Sequence, residues 1–323
     1  MATYWYVSNS RDGWQNLAMD EWFLDNLQPD DLILYFYINK NAVIIGKNQN
    51  PWKECNLQAM EQDDVQLVRR ITGGGAVYHD EGNLNFSFIA GENRYDLERQ
   101  LQVILQAVTS FGIPCGFSGR NDLLADGKKF SGNAFCARRG MRQHHGTLLI
   151  RSDLGRLQNY LHVDPRKMQA KGVSSVRSRV CNLSEFSEQV SIDTMLTAIR
   201  AAFSNNYGNV TDFCFTPEQV AQVLPYYEKQ TSWQWKLGKT PGFDLELDPR
   251  FPWGGVQLLF SLQGGMVSEL SVYSDAMDPD LPEEIRNRLL GCRFRSAALA
   301  QALSDTSRPQ LQDLADWLQA ENL

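Results

Sequence analysis

Near the N-terminus, Trp14, Leu17, Ala18, Met19, Trp22, Phe23 and Leu27 fall at helical spacing with Asp20, Glu21 and Asp25 between them. This is the pattern of an amphipathic helix whose aromatic stripe faces a core. Two apolar runs, Leu32–Tyr37 and Ala42–Ile45, read as strands, and residues 46–51 as a loop. Residues 56–63 suit a helix, 65–68 a strand leading into three consecutive glycines, and 84–89 an alternating strand. Residues 95–111 are helical in pattern and stopped by Gly112-Ile113-Pro114. Residues 121–125 and 128–135 alternate on either side of Asp126-Gly127, a strong hairpin signal because both turn positions tolerate positive φ. A further strand covers 146–151. Without regular βαβ alternation, the sheet is expected to be antiparallel or mixed.

Residues 153–207 are mostly helical in pattern, interrupted by a Lys/Arg/Ser-rich loop at 165–180. Trp233, Trp235, Pro241 and Phe243 form an aromatic passage suited to a linker or seam. Strand-like stretches at 256–262 and 266–273 then meet near Gly264-Gly265, and helical stretches follow at 283–290 and 297–303. The boundary is placed near residue 244, giving a domain over 1–244 and a small α+β domain over 245–323. The length of 323 residues fits two domains. A net charge of −7 argues against broad nucleic-acid or membrane-surface binding and turns attention to local basic pockets. No apolar run approaches the roughly 20 residues of a membrane span. The N-terminus lacks the basic and apolar regions of a signal peptide, so a cytoplasmic protein is expected. The six cysteines are scattered without a C-x-x-C pair, which predicts reduced thiols rather than a zinc site or a redox dithiol.

Candidate chemistry concentrates in four places. Arg69-Arg70 precede Gly73-Gly74-Gly75 and Ala76-Val77-Tyr78-His79; guanidinium forks beside a glycine turn suit carboxylate or phosphate oxygens. The segment is neither a P-loop nor a dinucleotide fingerprint. In the second, Gly119-Arg120-Asn121-Asp122 and Lys128-Lys129-Phe130-Ser131-Gly132-Asn133, strand alternation points Lys129 with Ser131 and Asn133 and away from Phe130. The lysine pair reads either as a solvated face or as an ammonium projecting into a polar cleft, where it would stabilise charge on a phosphate or carboxylate. Third, His144-His145 face opposite ways on a strand and make poor joint metal ligands; hydrogen bonding is the simpler reading. Fourth, the cationic segment 171–180 reads equally as a solvated loop or as a lid over a nucleotide. No Ser-His-Asp arrangement is visible, and Cys136 reads as a structural thiol.

Together these motifs resemble the lipoate–protein ligase A family. Residues 46–56, 69–88, 119–134 with 144–148, and 171–183 match its blocks, and Trp253-Gly254-Gly255-Val256 matches the start of its accessory domain. The resemblance runs nearly end to end. It implies an α+β fold, with a mixed, largely antiparallel central sheet flanked by helices and a small α+β C-terminal domain. It also implies that lipoate's carboxylate attacks the α-phosphate of ATP, with Mg2+ expected alongside. A lysine of an acceptor lipoyl domain, in 2-oxoacid dehydrogenase acyltransferase subunits or the glycine cleavage H protein, then takes the acyl group from lipoyl-AMP. By resemblance Arg70, Gly75, Ala76, Val77, Tyr78 and Lys129 hold ATP or the adenylate, and Lys129, Gly74 and His79 meet lipoate. Asn83, Asn121 and Asp122 are further polar groups of the site, Lys129 is catalytic, and Lys171, Gly172 and Val173 belong to a covering loop. A monomer is expected. The alternatives are an octanoyltransferase of the same fold, disfavoured by the C-terminal unit, and a non-catalytic lipoate-binding protein, disfavoured by intact Arg70 and Lys129.

Overall fold

The structure, a computed structural model, describes residues 1–118, 121–161, 180–237 and 244–321, without the side chains of Trp52 and Lys53. Gly119, Arg120, Pro241, Phe243 and the expected covering loop with Lys171, Gly172 and Val173 lie outside the described residues. The chain forms two compact units. The larger comprises residues 1–44, 52–69 and 76–236, and the smaller residues 45–51, 70–75 and 237–323.

In the larger unit, β1 (Thr3–Val7), β2 (Leu32–Tyr37), β3 (Ala42–Ile45), β4 (Gln66–Arg69), β5 (Val77–His79) and β6 (Asn83–Gly91) are followed by β7 (Cys115–Phe117), β8 (Asp122–Ala125), β9 (Lys128–Arg138), β10 (Met141–Leu149) and β11 (Thr211–Asp212). Eight of these form one sheet in the order β11-β1-β2-β6-β10-β9-β8-β7, while β4-β3-β5 form a small second sheet. Only the pairings of β1 with β2 and β11 are parallel in the large sheet, so it is mixed and largely antiparallel, as the sequence implies. Helices α1 (Gly13–Asn26), α2 (Leu97–Thr109), α3 (Ile192–Tyr207) and α4 (Pro217–Thr231) flank it. Phe86, Phe88, Leu101, Ile104 and Phe203 are buried together where α2 and α3 cover one face.

Helix α1 departs from the amphipathic expectation. It lies between the other face of the sheet and α4, so Asp20 and Glu21 are buried together with Trp22 and Phe23. Burial of these carboxylates is tolerable because each has a cationic or protonatable partner. Glu21 accepts from Lys229 of α4 at 2.7 Å and from Arg138 of β9 at 3.0 Å, and Asp20 faces His145 Nδ1 at 3.3 Å. The hairpin at Asp126-Gly127 forms as expected, with φ of 48° and 70°. A second such turn, Arg139-Gly140 with φ of 51° and 77°, starts β10 at Met141, upstream of the predicted strand.

His144 sits in the core, stacked on Phe88 and Phe135. Its Nε2 lies 2.9 Å from Asn133 Oδ1 and its Nδ1 3.0 Å from Gln100 Oε1, so it serves structural hydrogen bonding. Burial, with a smaller contribution from His145, pushes its pKa down from 6.5 to about 3. Below pH 6.5 the unfolded chain therefore binds a proton that the folded chain refuses, and stability falls as pH falls. Between about pH 6 and pH 4 the contribution should approach 1.4 kcal/mol per pH unit. Denaturant titrations of a His144→Asn variant should show a correspondingly flatter pH dependence over that range.

The smaller unit contains β12 (Leu245–Leu247), β13 (Arg250–Phe251), β14 (Gly254–Gln263) and β15 (Met266–Ser274), then α5 (Leu281–Leu289), α6 (Ser296–Ser304) and α7 (Pro309–Ala320). Its core gathers Val256, Leu258 and Phe260 of β14 with Ile285, Leu303, Leu311 and Leu314 of the helices. All six cysteines are free thiols. No helix among the described residues is long and apolar enough to cross a membrane.

Candidate active site

Lys129 lies near the start of β9, just past the Asp126-Gly127 turn. Here the structure corrects the strand alternation read from the sequence. Leu123 of β8 pairs with Ser131, but the next residue, Leu124, pairs with Lys129, so Phe130 is the extra residue of a β-bulge. Because Leu123 and Leu124 face opposite sides, their partners do too. Lys129 therefore points away from the side of Ser131 and Asn133 and shares the side of Gly132. A Cβ built on Gly132 would stand 2.8 Å from Lys129 Nζ. The fully buried Phe130 fixes the bulge in the core, whereas Ser131 and Asn133 turn toward the His144 network, Asn133 donating to the Asn121 carbonyl at 3.0 Å.

The Lys129 ammonium is 2.8 Å from Asp122 Oδ1, and both side chains are about one-third exposed. At that distance the two form an ion pair. Thr147, opposite Asn85 in the sheet register, accepts from the Gly132 N–H at 3.2 Å. Asn85 donates to the Tyr37 carbonyl at 3.1 Å and accepts from Asn83 Nδ2 at 3.0 Å. The backbone carbonyl thus orients both amides in turn, leaving the Asn83 Oδ1 as a buried acceptor with no donor among the described residues. Neither Thr147 nor Asn85 carries a signal in the sequence, because small polar residues in a strand do not declare which face they line.

On β5, His79 is buried with Nδ1 3.1 Å from Asn39 Nδ2. Asn39 Oδ1 already accepts from Asn16 at 2.9 Å, so its amide nitrogen faces the ring; Nδ1 is then the acceptor and the imidazole proton rests on Nε2. Tyr78 donates to Asn41 Oδ1 at 2.9 Å and stacks on Tyr160, with the Arg156 guanidinium over its ring at 5.3 Å. Burial pushes its phenol up to about 12 against the pull of Arg156, so it stays a neutral donor.

The two arginines before the glycines part company. Arg69, on β4, donates to the carbonyls of Trp235 and Lys236, each at 2.8 Å, and braces the chain there. In the smaller unit, Arg70 is only 8% exposed. It donates to Gly73 O at 2.7 Å and to Gly75 O at 2.8 Å, so the guanidinium holds its own loop in shape. Gly74, at φ +90°, donates its N–H to the Ala276 carbonyl at 2.9 Å. A Cβ on Gly73 would meet the Met277 and Ala276 carbonyls at 2.5 and 2.6 Å, a backbone approach only glycine permits. Gly75 is exposed, and a Cβ there would meet nothing within 4 Å.

The larger unit thus brings together Lys129 and Asp122, and it links Asn83 to Asn85 in an ordered amide chain. The smaller unit holds Arg70 with the glycine loop. A mixed sheet between helices, followed by a small α+β unit, is the architecture of the lipoate–protein ligases. The chain belongs to the lipoyl protein ligase A/B catalytic domain family, whose model matches residues 12–204; that of the bacterial lipoate protein ligase C-terminus matches residues 240–318. The chain is similar to P. falciparum LipL1, solved in complex with lipoate, at 27% identity and a TM-score of 0.88, over 99% of this chain and 100% of that one. It is also similar, at 28% identity and a TM-score of 0.68, to the bipartite lipoate protein ligase from Thermoplasma acidophilum, studied with its E2 lipoyl domain; 76% of this chain and 100% of that one are covered. A lipoate-protein ligase A bound with ATP matches at 27% identity and a TM-score of 0.65, covering 74% and 99% of the two chains.

Proposed function

We propose that this protein is an ATP-dependent lipoate–protein ligase of two domains, residues 1–244 carrying the chemistry and 245–323 an accessory role. The observation that carries the reading is the bulge-directed Lys129 ammonium in a chain whose family ligates lipoate. Support for the nucleotide comes from the relative bound with ATP and from the open side of Gly75, where phosphate oxygens can approach. Support for the acceptor class comes from the relative studied with a lipoyl domain.

In the first step a lipoate carboxylate oxygen attacks the α-phosphorus and pyrophosphate leaves, giving lipoyl-AMP. Two anions must meet, so Lys129 bears on the lipoyl carboxylate and the α-phosphate together, cancelling charge where it accumulates. Arg70, through the loop it braces, and the backbone of Gly75, Ala76, Val77 and Tyr78 hold ATP and the adenylate; Gly74 and His79 meet the lipoyl group. Asn83, Asn121 and Asp122 complete the polar surround, and the segment with Lys171, Gly172 and Val173 covers the adenylate. Mg2+ neutralises triphosphate charge when bound. In the second step the neutral ε-amine of a lipoyl-domain lysine attacks the acyl carbon, AMP leaves, and the amine loses a proton to become the amide. Acceptors are lipoyl domains of 2-oxoacid dehydrogenase acyltransferases and the glycine cleavage H protein. The enzyme works as a cytoplasmic monomer in lipoate salvage.

The deciding experiment mixes purified protein with lipoate, ATP and Mg2+ and follows pyrophosphate and lipoyl-AMP by mass spectrometry, then adds an apo lipoyl domain. Lipoyl-AMP followed by a lipoylated domain and AMP is expected. Acyl transfer from an acyl carrier protein without ATP would identify an octanoyltransferase instead, and lipoate binding without either product a non-catalytic binder.

A further inference from the structure

We propose that Asp122 is the resting counter-ion of Lys129, a positioning residue that holds the ammonium over Gly132 until the carboxylate of the incoming acid displaces it. This rests on the ligase reading and assigns to Asp122 a role in how the acid is admitted.

Three features of the hairpin lead to it. The bulge at Phe130 aims Lys129 to the side of Gly132. In register, Asp122 stands directly opposite Gly132 on the neighbouring strand, and the missing Gly132 side chain leaves the volume that the ammonium occupies, 2.8 Å from where a Cβ would be. The carboxylate thus catches the end of a lysine lying forward along its own strand. A lysine stem has four carbons and a strongly hydrated head; without an anion at that point the ammonium has no fixed position. The contact is also made to be broken. Both side chains of the ion pair are about one-third exposed, and a pair so exposed contributes at most about 1 kcal/mol, so the carboxylate of an incoming acid exchanges for Asp122 at little cost.

Two consequences follow. Asp122 competes with the acid for Lys129, which weakens acid binding before nucleotide is present. It also presets the ammonium, which favours turnover once the acid is in place. Neutralising the carboxylate should therefore lower KM for lipoate and lower kcat together, whereas loss of a merely structural residue raises KM.

Isothermal titration of lipoate alone into the full-length protein reads the first effect. Asp122→Asn should bind lipoate about fivefold more tightly than the parent, the upper range for a partly exposed ion pair. Asp122→Glu, which restores the charge, should bind as the parent does. Asp122→Ser carries the same expectation as the asparagine variant if that chain fails to fold. Steady-state kinetics should then show the joint fall in KM and kcat for the neutral variants. Unchanged or weaker lipoate binding in the neutral variants, with the parent binding normally, overturns the counter-ion role and leaves the ligase reading intact. A parent that binds no lipoate overturns both.

Discussion

Lys129→Ala should lower the rate of lipoyl-AMP formation by at least about 100-fold, the loss associated with removing one preorganised group that meets developing charge. The side chain is a third exposed and contacts a partly exposed carboxylate, so the fold should persist, with circular dichroism and thermal midpoint near those of the parent. Pyrophosphate release in single-turnover mixtures measures the chemical step. Lys129→Arg should not restore it: a guanidinium is wider than an ammonium and spreads its charge over a planar fork instead of a point. Near-normal pyrophosphate release by Lys129→Ala would remove the residue from the chemistry.

Arg70→Ala should have the second largest effect, chiefly on the nucleotide. The guanidinium is buried and donates to the carbonyls of Gly73 and Gly75. Its loss strands the buried Gly73 carbonyl, at about 1–3 kcal/mol, and releases the Gly75 carbonyl at the exposed end of the loop. The glycine loop should then lose its shape, KM for ATP should rise at least about tenfold, and the thermal midpoint should drop. Arg70→Lys should fare little better, since one ammonium cannot reproduce a fork directed at two carbonyls. Limited proteolysis of the loop alongside ATP titration separates loosening from direct loss of a phosphate contact. If only transfer to the lipoyl domain suffers, the nucleotide role of Arg70 falls.

Much of the fold is legible in the chain because burial there follows one simple period. β2 and β3 occupy the residues their apolar runs mark, and the Asp126-Gly127 turn declares its hairpin. What escapes is set by contacts distant in sequence. Helix α1 looks amphipathic, yet α4 covers its polar side and turns Glu21 into a buried partner of Lys229. Helix α4 itself is announced only by Thr216 and Gln219, whose side chains form a capping box around Pro217. Among the candidate residues, the glycine loop and Lys129 stand out by composition, but the direction of Lys129 does not. A bulge adds one residue without leaving a mark in the local pattern, and strict alternation then assigns the wrong face. Arg69 and Arg70 are adjacent and chemically alike, and only their acceptors separate a brace for residues 235–236 from a brace for the glycine loop.

The bond from the Gly74 N–H to the Ala276 carbonyl bears on how the chain can be divided. Residues 70–75 are encoded in the first quarter of the sequence but cluster with the C-terminal segment. A fragment ending after α4 would keep those glycines while losing the carbonyl against which one of them is anchored. Splitting the gene there therefore yields a piece whose glycine loop lacks that anchor until the missing fragment is added in trans.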